Sequence, residues 1–162
     1  MGRPLPTACE FYLPMNFPDL NLPPLAIVDD CQDDAFMLRY RLRQGGIANP
    51  VNSFERPTDA LGFLASSYVI GTLPHLIFVD IKMSGGFKLV ADIRNDHRFE
   101  EAKVIAVTYS NNPSDLKRSL ELGVDGYILK FPDPDILAEF VAHGPWFAAA
   151  RHAPKASHAL CA

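Results

Sequence analysis

Short apolar runs alternate with amphipathic segments five times along the chain, and this alternation limits the possible folds more than any other feature. The runs predict strands at residues 25–28, 51–54, 76–79, 104–107 and 127–129; the first, third and fourth are predicted to be buried, and the second is weak. The amphipathic segments predict helices at residues 35–44, 58–68, 86–95, 113–123 and 134–142. Strands that are joined through helices lie parallel and need cover on both faces. The sequence therefore predicts an α/β protein with a mostly parallel sheet between two layers of helices.

Turn and capping residues place the ends of these elements. Residues 32–34 offer an N-cap for the first helix, and Gly45 and Gly46 end it. Pro57 opens the second helix, and Gly123 stops the fourth.

The length of 162 residues favours one domain with flanking segments. Six of the fourteen prolines lie in residues 1–24, where neither a helix nor a central strand can propagate. We therefore expect a proline-rich arm at residues 1–24, one domain at residues 25–143 and a tail at residues 144–162.

Composition excludes several classes of protein. The net charge of −4 and the pI near 5.7 argue against nucleic-acid binding. Three widely spaced cysteines (Cys9, Cys31 and Cys161) fit neither a disulfide framework nor a zinc site. No apolar run reaches the eighteen or so residues of a membrane span, and there is no secretion signal. We expect a cytoplasmic protein that binds neither nucleic acid nor membrane.

Polar residues follow four of the predicted strands. Asp29 and Asp30 follow the first strand, Asp80 the third, Thr108 the fourth and Lys130 the fifth. In a parallel sheet these ends share one edge, where ligands bind. Three neighbouring carboxylates are suited to Mg²⁺, and a lysine with a hydroxyl can hold phosphoryl oxygens. Because a carboxylate is also a nucleophile toward phosphorus, this pattern points to an aspartyl phosphate at Asp80.

The same residues resemble the receiver domains of two-component response regulators, over about residues 25–141. Residues 29–34, 45–50 and 120–123 are similar, within that family, to small stand-alone regulators of phytochrome-type sensor kinases. The resemblance implies a flavodoxin-like (βα)5 three-layer sandwich with a parallel sheet of strand order 2-1-3-4-5.

The resemblance also implies a metal site. Asp30 and Asp80 would bind Mg²⁺ directly, Asp29 would bind it through water, and the backbone carbonyl of Lys82 would supply a further oxygen.

In the family resembled, Asp80 would be the phosphorylated residue, and Thr108 and Lys130 would hold the phosphoryl oxygens. Thr108 and Tyr127 would form a switch, in which movement of the hydroxyl leaves space for the aromatic ring. Such a protein catalyses its own phosphorylation and is not a turnover enzyme on external substrates.

The implied partners are proteins. The phosphoryl donor would be a sensor histidine kinase or a phosphotransfer protein, and the output would be contact with an unknown downstream protein. A homodimer through the face of the fourth helix, fifth strand and fifth helix is a further possibility.

Two alternatives remain open. A degenerate receiver, acting as a phosphorylation-independent docking or scaffold module, would suit the shortened loop after Met83 and the presence of Phe131 where the family has proline. A cis bond before Phe131 would cost about 2.5 to 4 kcal/mol. The family prefers a small residue where this chain has Tyr109, whose ring would narrow access to the site around Asp80.

The second alternative is an aspartate-nucleophile phosphatase. Such an enzyme normally has a second aspartate two residues after the first, where this chain has Lys82. Lys82 is a cation that could shield a phosphoryl group.

Overall fold

Five strands and five α-helices alternate along residues 18–143, which are the residues that the computed structural model describes. The strands are β1 (Leu25–Val28), β2 (Val51–Phe54), β3 (Leu76–Asp80), β4 (Lys103–Thr108) and β5 (Gly126–Leu129). The helices are α1 (Gln32–Gln44), α2 (Pro57–Val69), α3 (Gly86–Asn95), α4 (Pro113–Glu121) and α5 (Pro134–His143), with a short 3₁₀ helix at His97–Phe99 before β4.

The strands form one parallel sheet in the order β2-β1-β3-β4-β5. β3 lies at its centre and is buried along its whole length, from Leu76 to Asp80. The predicted α/β class and the flavodoxin-like strand order are both confirmed.

Alternate side chains of the strands face two separate apolar cores. Leu76 and Phe78 pack on one side with residues of α1 and α5. Ile77 and Val79 pack on the other side with residues of α2 and α3. Burial on both faces explains why β3 is a continuous apolar run rather than an alternating one.

The start of α1 differs from the prediction. The helix begins at Gln32, its N-cap residue is Cys31, and no side chain caps it. The predicted cap was wrong because the carboxylate of Asp34 contacts Lys130 and Tyr109 instead of the backbone at the helix start. The 3₁₀ helix was not predicted; Asp96 caps it by accepting a hydrogen bond from the Arg98 amide.

Most of the predicted arm and all of the predicted tail after residue 143 lie outside the described residues. The last part of the arm contacts the domain: the Asp19 amide donates to the Ala48 carbonyl at 2.7 Å, and the His75 amide donates to the Pro24 carbonyl at 3.0 Å. Among the described residues, no helix is both long and apolar enough to cross a membrane.

Gly86, the first residue of α3, packs tightly against the end of β3. A Cβ at this position would collide with the Asp80 carbonyl oxygen and would lie 2.9 Å from the Ile81 Cα. Both neighbours are backbone, which cannot move aside as a flexible side chain can. The absence of a side chain at Gly86 therefore allows α3 to begin directly beside Asp80.

We predict that Gly86→Ala lowers the free energy of unfolding by roughly 1–3 kcal/mol, because the added methyl group overpacks the end of β3. Gly62→Ala is the matched control, since Gly62 is exposed within α2 and has open space around it. The control should gain roughly 0.5–1 kcal/mol from helix propensity. Urea denaturation of both variants checks this; equal stability of Gly86→Ala and wild type would contradict the packing argument.

Candidate functional site

The carboxyl ends of four strands place the predicted polar residues at one edge of the sheet. Asp80 is the last residue of β3 and Thr108 the last of β4, whereas Asp29 and Lys130 directly follow β1 and β5. Parallel hydrogen bonding continues past the strand ends, since the Asp29 amide donates to the Phe54 carbonyl at 3.0 Å and the Lys130 amide to the Thr108 carbonyl at 2.8 Å. This pairing holds the four residues in register.

The ammonium group of Lys130 lies at the centre of the site. Its Nζ is 2.7 Å from Asp29 Oδ2, 2.8 Å from Asp34 Oδ2 and 2.8 Å from Asp80 Oδ2. The side chain is only 3% exposed. Burial opposes the charge, but hydrogen bonds to the three carboxylates outweigh it and raise the pKa of Lys130. The lysine is therefore a fixed cation at neutral pH.

The site shifts the pKa values of two of these carboxylates in opposite directions. Burial raises the pKa of Asp29 above 3.8, although Lys130 and the Cys31 amide favour its charged form. Burial acts in the same sense on Asp34, but hydrogen bonds from Lys130 and Tyr109 prevail and lower its pKa. Ionised Asp29 therefore lowers the free energy of unfolding, whereas the contacts of Asp34 stabilise its charged form.

Asp34 was not predicted as a site residue. It lies in the first turn of α1, and its position was interpreted only as part of a helix cap. The only available signal was its position, because the first turn of α1 directly follows the acidic pair at the end of β1. That proximity alone does not indicate a contact with Lys130.

Three carboxylates form a cluster that could hold a metal ion. Oxygens of Asp29, Asp30 and Asp80 all lie within 4.8 Å of one another, and Asp30 is exposed. Mg²⁺ prefers one or two carboxylates with waters completing an octahedron. An all-oxygen set with one exposed member fits this ion.

The loop after β3 fixes the other oxygen of Asp80. The Lys82 amide donates to Asp80 Oδ1 at 2.8 Å, so the carboxylate is held from two sides. The Lys82 ammonium instead contacts Asp115 Oδ2 in the first turn of α4, at 3.0 Å. The predicted shielding of a phosphoryl group by Lys82 therefore does not describe this conformation.

Thr108 and Tyr127 meet at the loop between β4 and α4. Thr108 is fully buried, and its hydroxyl oxygen accepts a hydrogen bond from the Ser110 amide at 3.0 Å. Tyr127 is also buried, and its hydroxyl donates to the Ser110 carbonyl at 2.8 Å. The aromatic ring occupies a buried position in this conformation.

The segment after Lys130 takes a different course from a proline-containing loop. No peptide bond within residues 18–143 is cis, and Phe131 instead has a positive φ of 34°. The Phe131 ring contacts Tyr109 edge-on, with ring centroids 5.6 Å apart. The Tyr109 ring lies over the Lys130 ammonium, 5.0 Å from it. Tyr109 thus lies between the lysine and Phe131.

The sequence profile of the response regulator receiver domain matches residues 25–142. The chain therefore belongs to this family, whose members serve two-component signalling and are not turnover enzymes.

Individual relatives agree with this assignment. PhoB, the phosphate regulon transcriptional regulatory protein of Rhizobium meliloti (strain 1021), is 30% identical over 124 residues, 75% of this chain and 52% of PhoB. PilG of Pseudomonas aeruginosa is 33% identical over 89 residues, 53% of this chain and 66% of PilG. The chain spans about half the length of the first two curated relatives that it matches.

Solved structures share the fold. The bacteriophytochrome response regulator AtBRR superposes with a TM-score of 0.65 at 24% identity, covering 80% of this chain and 94% of AtBRR. The receiver domain of the DNA-binding response regulator merR from Colwellia psychrerythraea 34H gives 0.63 at 22% identity, covering 76% and 95%. These similarities show the shared fold.

We predict that Asp29→Asn stabilises the metal-free protein at pH 7. The raised pKa means that the folded protein binds the Asp29 proton more tightly than the unfolded chain does, so ionisation at neutral pH costs stability. Asparagine removes that charge, and its advantage should narrow as the pH is lowered through the raised pKa of wild type. Thermal melts in chelator at several pH values measure this.

The control is Asp33→Asn, which removes a charge from an exposed position of α1. A melting temperature of Asp29→Asn below that of the control at pH 7 would contradict the prediction.

Proposed function

We propose that this receiver domain accepts a phosphoryl group on Asp80 from the phosphohistidine of a sensor kinase or a phosphotransfer protein. The observation that carries the proposal is the placement of Asp80 Oδ2 at 2.8 Å from a buried ammonium, beside two further carboxylates that could share a metal ion. This arrangement holds a nucleophile, a cation and a metal-binding cluster at the end of the central strand.

The reaction needs no proton transfer from the protein. An oxygen of Asp80 attacks phosphorus, an acyl phosphate bond forms, and the bond from phosphorus to the donor histidine nitrogen breaks with its electron pair going to that nitrogen. The Lys130 ammonium neutralises charge on the phosphoryl oxygens, and the Thr108 hydroxyl takes another of them. Catalysis is thus positioning and charge neutralisation.

Asp30 and Asp80 would hold Mg²⁺ directly, Asp29 through water, and the Lys82 carbonyl would complete the protein ligands. When bound, the ion supplies two positive charges against the phosphoryl group and the carboxylates.

The two alternatives are less well supported. A scaffold module would not need the paired Asp80 and Lys130, which the described site retains together with the acidic cluster. A phosphatase would need an acid or base where Lys82 stands, and the Lys82 ammonium contacts Asp115. We therefore propose self-catalysed phosphorylation without turnover of external substrates.

The output we propose is protein contact through the face of α4, β5 and α5, and this face is also our proposed homodimer surface. Thr108 and Tyr127 both contact the loop that precedes α4 through Ser110. A shift of Thr108 toward a phosphoryl group would release the Ser110 amide, and Tyr127 would transmit the loop movement through its hydrogen bond. We further propose a cytoplasmic protein with an arm at residues 1–24, the receiver at 25–143 and a tail at 144–162.

Incubation with acetyl phosphate and Mg²⁺ should add one phosphoryl group to the wild-type protein, detected by intact mass. Asp80→Asn should add none, because the amide oxygen is not a nucleophile toward phosphorus. Asp33→Asn is the control and should react as wild type does. A wild-type protein that gains no mass, or an adduct that persists in Asp80→Asn, would contradict the proposal.

Mg²⁺ should stabilise the fold, because it binds the native cluster and not the unfolded chain. At a hundred times its dissociation constant the expected gain is about 2.7 kcal/mol. Asp30→Asn should lose most of this gain, because Asp30 is a proposed direct ligand and an exposed residue of the cluster. Thermal melts with Mg²⁺ measure the effect; an unchanged response in Asp30→Asn would exclude it as a ligand.

A further inference from the structure

Among residues 18–143, Asp34 is the one carboxylate in contact with Lys130 that does not belong to the acidic cluster. The cluster contains Asp29, Asp30 and Asp80, whereas Asp34 reaches Lys130 from the first turn of α1. Its Oδ2 lies 2.8 Å from the Lys130 Nζ, as close as that of Asp80. Asp34 therefore binds the lysine without being required by the metal ion.

The three hydrogens of the ammonium account for its three partners. A lysine ammonium has three N–H donors and no acceptor. In this structure Asp29, Asp34 and Asp80 each lie within hydrogen-bond distance, so every donor has a carboxylate. Any new bond from Lys130 to a phosphoryl oxygen must replace one of these three.

Phosphorylation would change two of the three partners. Asp80 would become an acyl phosphate, whose bonded oxygen carries no negative charge, and Asp29 would hold the metal ion through water. Asp34 undergoes neither change. One N–H can stay on Asp34 while the other two turn to the phosphoryl oxygens.

Tyr109 fixes the position of Asp34. Its hydroxyl donates to Asp34 Oδ1 at 2.9 Å, on the oxygen that Lys130 does not use. Partial burial and this hydrogen bond raise the pKa of Tyr109 to about 12, so the donor proton is present at neutral pH. The Tyr109 ring also lies over the ammonium that Asp34 holds. Both oxygens of Asp34 are thus engaged, and its carboxylate cannot rotate freely.

We propose that Asp34 is a positioning residue for phosphoryl transfer, which holds Lys130 in place as the ammonium exchanges Asp29 and Asp80 for the phosphoryl oxygens, with Tyr109 orienting its carboxylate. This inference rests on the proposed function, because it assigns a role in the same reaction. It adds two residues, from α1 and from the loop after β4, to the site.

The experiment measures the rate of phosphorylation by acetyl phosphate over a range of Mg²⁺ concentrations, by intact mass. Asp34→Asn should react about tenfold more slowly at saturating Mg²⁺, because one charge-assisted hydrogen bond to Lys130 is lost. Asp33→Asn removes the same charge from the adjacent exposed position and should keep the wild-type rate. The Mg²⁺ concentration for half-maximal rate should be similar in both variants.

Two further variants separate positioning from general damage. In a Lys130→Ala background, Asp34→Asn should cause no additional loss, because its effect passes through the lysine. Tyr109→Phe keeps the ring and removes only the hydroxyl, and it should slow the reaction by a smaller factor in the same direction. This variant changes a largely exposed side chain, so it remains informative if Asp34→Asn folds poorly.

The outcomes distinguish this inference from the proposed function. No adduct on wild type would overturn both. A phosphorylated wild type with equal rates for Asp34→Asn and Asp33→Asn would overturn the role of Asp34 alone. An undiminished effect of Asp34→Asn in the Lys130→Ala background would also overturn the role of Asp34. A defect of Asp34→Asn that higher Mg²⁺ fully corrects would overturn it too, because Asp34 would then be a metal ligand.

Discussion

The buried ammonium of Lys130 is the interaction on which the site depends. Asp29, Asp34 and Asp80 reach it from β1, α1 and β3, and Asp30 lies nearby without contacting it in the described hydrogen bonds. Four carboxylates cannot gather at the end of a sheet without a cation, because their mutual repulsion in a partly buried site is large. One lysine offsets only part of this charge. The remaining negative potential is what makes the site receptive to a divalent cation.

The fold creates this arrangement through simple geometric constraints. Parallel strands bring all of their carboxyl ends to one edge, and β3 at the centre gives Asp80 a neighbour on each side. Gly86 allows α3 to begin against the Asp80 carbonyl, so the loop between them is short and its Lys82 amide reaches the carboxylate. The same short loop directs the Lys82 ammonium to α4. The short loop thus both holds the Asp80 carboxylate and brings the Lys82 side chain to α4.

Sequence periodicity was sufficient for the α/β class and the order of elements, because buried strands such as β3 stand out as apolar runs that turn residues separate. The strand order in the sheet came from the resemblance to receiver domains. The site residues at strand ends followed from that topology. Asp34, by contrast, lies inside a helix, where an acidic residue of the first turn is equally typical of a cap. The contact between Lys82 and Asp115 joins the loop after β3 to the first turn of α4, far apart in sequence, and no local pattern indicates it.

We propose that Lys130 moves from Asp29 and Asp80 to a phosphoryl group on Asp80. A crystal structure of the protein with Mg²⁺ and beryllofluoride, a stable mimic of the phosphoryl group, tests this movement. We expect beryllium bonded to an Asp80 oxygen, and the Lys130 Nζ about 3 Å from a fluorine while still in contact with Asp34. Beryllofluoride bound elsewhere, or a Lys130 that remains on Asp29 with no contact to fluorine, would contradict it.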